Sequence, residues 1–132
     1  MAPRVRTHVL LPADRPRVLC VDDEAITLRL VTRLLEGMGM DVAPTTSPID
    51  ALRIFDEGGV DLVVTDVRMP GMDGLAFVHA VRARDLEVPV VVATGYATLE
   101  TAIRALREGA SGMIIKPFTG EEFVNEIRTA LD

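Results

Sequence analysis

Five short runs of apolar and β-branched residues, separated by segments with helical periodicity, constrain the fold of this chain more than any other feature. Short apolar runs bounded by turn residues are typical of strands that are buried on both faces. The runs cover residues 18–21, 41–44, 60–65, 90–93 and 112–115. Strict alternation of buried strands and amphipathic helices predicts an α/β fold, in which helices cover both faces of a parallel sheet.

The segments between the strands have apolar positions three or four residues apart, which predicts five helices. Ser47 before Pro48 is typical of a helix N-cap and first helical position. Thr119 with Glu122 predicts a capping box for the last helix. The apolar positions are Leu28, Val31, Leu35 and Met38; Ala51, Leu52 and Phe55; Leu75, Val78 and Val81; Leu99, Ala102, Ile103 and Leu106; and Phe123, Ile127 and Leu131.

Right-handed crossovers leave few topologies for such a sheet. Among them we expect the flavodoxin-like, doubly wound order 2-1-3-4-5, with five helices. No linker or repeat divides residues 17–132, which we expect to form one domain. Residues 1–16 contain three prolines and are expected to be a flexible N-terminal arm.

Composition limits the classes of function. A net charge of −6 argues against direct nucleic-acid binding, because phosphate contacts depend on an excess of Lys and Arg. No apolar stretch is long enough to cross a membrane. The single cysteine, Cys20, lies in the first predicted strand and is interpreted as a buried hydrophobe. Because there is no second cysteine with which it could form an internal disulfide, a reducing, cytoplasmic location is expected.

Polar residues directly follow four of the five predicted strands. They are Asp22, Asp23 and Glu24 after the first strand, Asp66 after the third, Thr94 after the fourth and Lys116 after the fifth. Parallel strands place their carboxyl ends at one edge of a sheet, where ligands bind in open α/β folds. We therefore expect these side chains to converge.

Converging carboxylates repel one another and resist ionisation unless a cation joins them. Their hard oxygens select Mg²⁺ or Mn²⁺. A carboxylate nucleophile, a divalent cation, a lysine and a hydroxyl together can stabilise a transferring phosphoryl group. Each residue also has a simpler interpretation, such as capping of the first helix by Asp22 and Asp23. Because the residues occur together, the sequence favours phosphoryl transfer onto Asp66.

In their order and spacing, these residues resemble the receiver domain of two-component response regulators, and the resemblance covers about residues 17–131. It implies that Asp66 accepts a phosphoryl group from a histidine kinase or phosphotransfer protein, with Mg²⁺ or Mn²⁺ as cofactor. It also implies that the domain is a signalling switch rather than an enzyme, and that it has no membrane partner.

The resemblance assigns a role to each site residue. Asp23 would bind the metal directly and Asp22 mainly through water, together with Asp66 and the backbone carbonyl of Arg68. Thr94 and Lys116 would contact the phosphoryl oxygens. The peptide bond between Lys116 and Pro117 would be cis, as is usual in the family.

The resemblance also implies an output surface formed by the fourth helix, fifth strand and fifth helix, through which members of the family can form homodimers. The chain would then be the regulatory part of a transcriptional regulator or a stand-alone receiver. Met113 stands where the family usually has Tyr or Phe. Methionine lacks the rigid ring of those residues and the hydroxyl of tyrosine.

Two other classes of protein share parts of this pattern. A flavin-binding electron carrier of the same fold would need a phosphate-binding loop after the first strand, where acidic residues stand instead. A phosphatase with an aspartyl intermediate generally has a second acid two residues after the nucleophile, where this chain has Arg68. Flavin absorbance, or turnover of a phosphate ester with Mg²⁺, would identify either class.

We predict slow hydrolysis of the phosphoryl group, because the residues beside the acceptor exclude water rather than orient it. Arg68 can only donate hydrogen bonds, and the ring of Tyr96 can cover the opening; neither can act as a base. Arg68→Asn and Tyr96→Ala should each accelerate decay of the purified phosphoprotein in Mg²⁺. Unchanged or slower decay in both variants would show that these side chains do not guard the path of the water.

Overall fold

The computed structural model describes residues 15–95 and 98–132. The predicted arm, residues 1–16, lies outside the described part except for its last two residues. The division of the chain into arm and domain therefore stays a prediction. Tyr96, one of the two residues in the prediction on hydrolysis, also lies outside.

Strands and helices alternate along the described chain. They are β1 (Arg17–Val21), α1 (Ala25–Gly37), β2 (Asp41–Thr45), α2 (Pro48–Asp56), β3 (Leu62–Thr65), α3 (Gly74–Arg84), β4 (Val90–Thr94), α4 (Leu99–Glu108), β5 (Gly112–Ile115) and α5 (Gly120–Leu131). The five strands form one parallel sheet in the order β2-β1-β3-β4-β5. The predicted flavodoxin-like order is confirmed.

The centre of the sheet is the most deeply buried part of the molecule. Consecutive strand residues point to opposite faces, so each central strand contributes to two separate cores. Val63 lies in one core with Phe77 of α3, and Val64 lies in the other with Phe123 of α5. All four residues of β3 are buried. This strand is two residues shorter than predicted, since its pairing with β1 begins at Leu62.

The helix caps agree with the sequence patterns. The Ser47 hydroxyl accepts a hydrogen bond from the Asp50 amide at 3.2 Å and caps α2. Thr119 and Glu122 form the reciprocal hydrogen bonds of a capping box at the start of α5. In α1, Glu24 occupies the N-cap position but its side chain makes no capping hydrogen bond.

Two of the apolar positions identified in α4 are largely exposed. Its only buried residue is Ala105, whereas the exposed fraction is 78% for Leu99 and 70% for Leu106. The apolar pattern identified a real face of the helix, but that face points outward. Periodicity shows that apolar residues share a face and does not show which part of the fold covers it.

The loop from β3 to α3 depends on close backbone approach at Gly74. The Gly74 amide donates a hydrogen bond to the Val67 carbonyl at 2.5 Å, and the Asp73 carboxylate caps α3 by accepting from the Leu75 amide at 2.6 Å. A Cβ atom at position 74 would overlap the Asp66 carbonyl oxygen and lie 2.6 Å from the Val67 Cα. Glycine at this position lets the loop fold back tightly after Asp66.

Gly74→Ala should therefore destabilise the domain by about 2–3 kcal/mol, because backbone atoms must move to admit a methyl group. Gly37→Ala is the matched control, since a Cβ there would meet nothing within 4 Å. The control should be neutral or stabilising by up to about 1 kcal/mol, because alanine restricts the unfolded chain. Urea unfolding measures both variants, and equal stabilities would contradict the steric argument.

Candidate functional site

Asp22 and Asp66 lie side by side at the carboxyl edge of the sheet. β1 and β3 pair in register, with Val21 opposite Thr65, so the residue after each strand reaches the same level. The Asp66 amide donates a hydrogen bond to the Val21 carbonyl at 3.1 Å. Both aspartates are buried, with exposed fractions of 5% for Asp22 and 7% for Asp66.

Lys116, the residue after β5, joins the two buried carboxylates. Its Nζ donates to Asp22 Oδ2 at 2.8 Å and to Asp66 Oδ2 at 3.0 Å, and lies 3.8 Å from Glu24 Oε1. Burial alone would lower the pKa of Lys116, but the hydrogen bonds with Asp22 and Asp66 outweigh burial and raise that pKa. The lysine is therefore a fixed positive charge between two carboxylates.

Backbone amides satisfy the other oxygen of each buried carboxylate. Asp22 Oδ1 accepts from the Glu24 amide at 2.9 Å, and Asp66 Oδ1 accepts from the Val67 amide at 2.6 Å. Burial raises the pKa of Asp22, although the hydrogen bond from Lys116 opposes the rise. Ionising Asp22 is thus unfavourable unless positive charge is close by.

The carboxylates of the site could hold a cation. Ligand oxygens of Asp22, Asp23 and Asp66 lie within 4.8 Å of one another, and Asp23 is exposed. Three carboxylates face one lysine, so negative charge is in excess. Hard oxygen donors with excess negative charge fit a hard divalent cation. The alternative role of Asp22 and Asp23 as helix caps is weaker, because the N-cap position of α1 is occupied by Glu24 and not by either aspartate.

Thr94 lies at the end of β4, and Arg68 lies in the loop that follows β3. Thr94 ends β4, is fully buried, and its carbonyl accepts a hydrogen bond from the Lys116 amide at 2.9 Å. Arg68 is exposed and, with Asp23, lines an open cleft of about 550 Å³ beside the site. The peptide bond between Lys116 and Pro117 is cis, as expected. The metal-binding role of the Arg68 carbonyl and the phosphoryl contact of Thr94 stay predictions.

Two contributors to the site were not identified from the sequence. The Val67 amide orients Asp66, but a backbone donor leaves no side-chain pattern to detect. Gly74 shapes the loop after Asp66, and its only signal was its place in a segment rich in turn residues.

The fold and the site together define a class of protein. Residues 18–128 match the family described as the response regulator receiver domain, and the chain belongs to this family. Receiver domains of this family are signalling domains of two-component systems.

Within the described residues, no helix is both long and apolar enough to cross a membrane.

Several characterised proteins are similar to this chain. Transcriptional regulatory protein PrrA of Mycobacterium tuberculosis is 36% identical over 116 residues, which are 88% of this chain and 50% of that protein. Transcriptional regulatory protein ZraR of Escherichia coli K12 is 36% identical over 118 residues, which are 89% of this chain and 27% of that protein. The chain therefore spans half or less of the length of these relatives.

Solved structures agree with the fold. A CheY-like receiver domain protein from Methanospirillum hungatei superposes with a TM-score of 0.86 at 26% identity, covering 90% of this chain and 95% of that one. A receiver domain protein from Clostridium thermocellum has a TM-score of 0.82 at 32% identity, covering 88% of this chain and 94% of that one.

The buried pairing predicts a large effect of removing the lysine. Lys116→Met should destabilise the domain by about 3 kcal/mol at neutral pH without added metal, because two buried carboxylates lose their partner. Arg84→Met is the control, since it breaks an exposed pair with Asp56 and should cost about 1 kcal/mol or less. Urea unfolding measures both variants.

Adding Asp22→Asn to Lys116→Met should recover part of the lost stability, because one of the two unpaired carboxylates is removed. If the double variant is less stable than Lys116→Met alone, charge pairing is not the origin of the loss.

Proposed function

We propose that this domain accepts a phosphoryl group on Asp66 from the phosphohistidine of a histidine kinase or phosphotransfer protein, in a reaction that depends on Mg²⁺. The observation that carries the proposal is the pairing of Asp66 with Lys116 beside two further carboxylates. A buried carboxylate held by a lysine at the edge of a parallel sheet is placed for nucleophilic attack from the open side. Membership of the receiver family supports the same chemistry.

In the proposed transfer, a carboxylate oxygen of Asp66 forms a bond to phosphorus while the bond from phosphorus to the histidine nitrogen breaks. The Lys116 ammonium, already 3.0 Å from Asp66 Oδ2, is close enough to bind an oxygen of the incoming group. Thr94 would donate its hydroxyl to another phosphoryl oxygen. The domain then acts as a phosphoacceptor that assists its own phosphorylation and dephosphorylation, rather than as an enzyme that turns over a separate substrate.

Asp22, Asp23, Asp66 and the Arg68 carbonyl would hold Mg²⁺, with Asp22 acting mainly through water. When bound, this ion supplies the charge neutralisation that transfer needs. Phosphoryl transfer would require this neutralisation, because a phosphoryl group adds negative charge where three carboxylates already face one lysine. Mn²⁺ has similar oxygen preference and could substitute.

The partner has to bring its histidine to the edge of the sheet where Asp66 lies. An exposed apolar surface lies beside this edge. Ile26 of α1 is 81% exposed, and Leu30 is exposed one turn later. Leu30, Lys116, Pro117 and Phe118 line a groove of about 330 Å³. Apolar side chains exposed next to a reactive group are typical of a protein-binding surface. We infer that the kinase or phosphotransfer protein docks on this surface.

The proposed output is the surface of α4, β5 and α5, where Leu99, Leu106 and Ile115 are exposed. It would bind a target or a second copy of the domain. Since the similar proteins PrrA and ZraR are named transcriptional regulatory proteins, we propose that this chain regulates transcription as part of a longer protein, or acts as a stand-alone receiver. A kinase partner of this kind would place it in the cytoplasm.

Labelling by a phosphohistidine kinase or by acetyl phosphate tests the acceptor. Wild type should form an acid-labile phosphoprotein only with Mg²⁺ or Mn²⁺, Asp66→Asn should abolish labelling, and Asp23→Asn should weaken metal binding. Asp56→Asn is the control, because Asp56 lies on α2 and pairs with Arg84 away from the site. Full labelling of Asp66→Asn would refute the assignment of the acceptor.

A pair of exposed isoleucines tests the docking surface. Ile26→Ser should slow transfer from a kinase that labels wild type by about tenfold, since loss of an apolar anchor typically costs more than 1 kcal/mol. Labelling by acetyl phosphate should not change. Ile49→Ser is the control, because Ile49 is also exposed but lies on α2. Equal effects of the two substitutions would exclude docking at Ile26.

A further inference from the structure

Hydrophobic packing holds α4 weakly compared with the other helices. Ala105 is its only buried residue, whereas α3 buries Phe77 with Leu75 and other apolar residues, and α5 buries Phe123 with Ile127. Burial of one methyl group contributes only about 0.8 kcal/mol. Other interactions must therefore determine how α4 is attached to the domain.

Arg82, in the last turn of α3, makes a set of hydrogen bonds that ends at α4. Its Nε donates to the carbonyl of Gly109, the C-cap of α4, at 2.9 Å. The same guanidinium donates to the carbonyls of Asp85 at 3.2 Å and Val88 at 2.6 Å, and to the Ser111 hydroxyl at 3.4 Å. One side chain thus links α3, the loop before β4 and the connection from α4 to β5.

These contacts are closely fitted. Burial lowers the pKa of Arg82, although Asp85 opposes the change, so its hydrogen bonds offset a real loss of hydration. Gly109 has a φ of +100°, and a Cβ atom there would lie 2.8 Å from Arg82 Nε. Only glycine both adopts this conformation readily and leaves room for the guanidinium.

A second polar contact joins the middle of α3 to the carboxyl end of α4. His79 Nδ1 lies 3.1 Å from Glu108 Oε1, which links α3 to the last residue of α4. The Ala110 amide donates to the Ala105 carbonyl at 2.9 Å and closes the helix end. The carboxyl end of α4 is therefore attached at several points.

The amino end of α4 is attached differently. Thr98 caps its own helix, because its hydroxyl accepts from the Thr101 amide at 3.0 Å. Within the described residues, no side chain of the first turn donates or accepts a hydrogen bond with another helix or strand. Leu99, at the start of the helix, is largely exposed.

We propose that Arg82 pins the carboxyl end of α4, so that this end is a fixed hinge and the amino end is the part of the helix that moves. The amino end begins at Thr98, only four residues after Thr94. A shift of Thr94 on phosphorylation, which rests on the proposed function, would therefore reach the movable end of α4 first. The hinge itself is a property of the resting protein and is independent of that function.

Native-state hydrogen exchange on the whole chain, without a phosphoryl donor, tests the hinge. The Ala110 amide, bonded to Ala105, should be protected at least about tenfold more strongly than the Ala102 amide, bonded to Thr98, after correction for intrinsic rates. Arg82→Met should lower protection of Ala110 by about tenfold or more, as expected for loss of hydrogen bonds from a charged group. Protection of Ala102 should change by less than about twofold, since its hydrogen bond lies within the helix.

Arg84→Met is the matched control, because Arg84 lies in the same turn of α3 but pairs with Asp56 of α2. It should leave protection of Ala110 unchanged. If Arg82→Met does not fold, Arg82→Lys keeps the positive charge but loses the planar set of donors, and it should produce the same local loss. Equal protection of Ala102 and Ala110 in wild type, equal loss at both amides, or no loss at Ala110 would overturn the proposal.

Discussion

The ammonium group of Lys116 holds two buried carboxylates together at the edge of the sheet, and the rest of the site depends on this arrangement. Like charges so close would otherwise separate or take up protons. The sheet imposes the proximity, since β1, β3 and β5 run in parallel and end at the same edge. The positive charge of the ammonium offsets only part of the negative charge of the site, because Asp23 adds a third carboxylate. The remaining negative charge means that the site could hold a further cation.

Rigidity around Asp66 is as important as charge. β3 is buried along its whole length, and the Val67 amide holds one carboxylate oxygen of Asp66. Gly74 lets the following loop fold back against the backbone of Asp66, and a side chain there would displace it. Under the proposed function, a carboxylate held in this way would lose little freedom when it reacts, which would lower the entropic part of the barrier. The loop beside Asp66 is exposed at Arg68, which leaves open the path by which a phosphoryl donor would approach.

Most of this arrangement could be predicted from the sequence, because buried strands and the polar residues after them are both local patterns. The convergence of Asp22, Asp66 and Lys116 followed from parallel pairing alone. The orientation of α4 could not be predicted, since the spacing of Leu99 and Leu106 defines a face without defining its cover. The hydrogen bond from the Val67 amide left no pattern, because every residue except proline has such a donor. The contacts of Arg82 were also invisible, as they join segments that are 27 residues apart in the chain.

The site lies between a rigid part of the molecule and a weakly packed one, and this contrast determines where a change at the site can be transmitted. Asp66 cannot shift without disturbing β3 and two cores, which would be unfavourable in a close-packed interior. Thr94 also ends a buried strand, but the chain after it leads to α4, which buries a single alanine. The least costly response to new charge at Asp66 is therefore a displacement of α4, and the outward Leu99 and Leu106 would move with it. Met113, partly buried against the core shared with α3 and Ala105, lies next to this route. Because methionine is flexible, it can repack as α4 moves without having to exchange one rigid ring position for another.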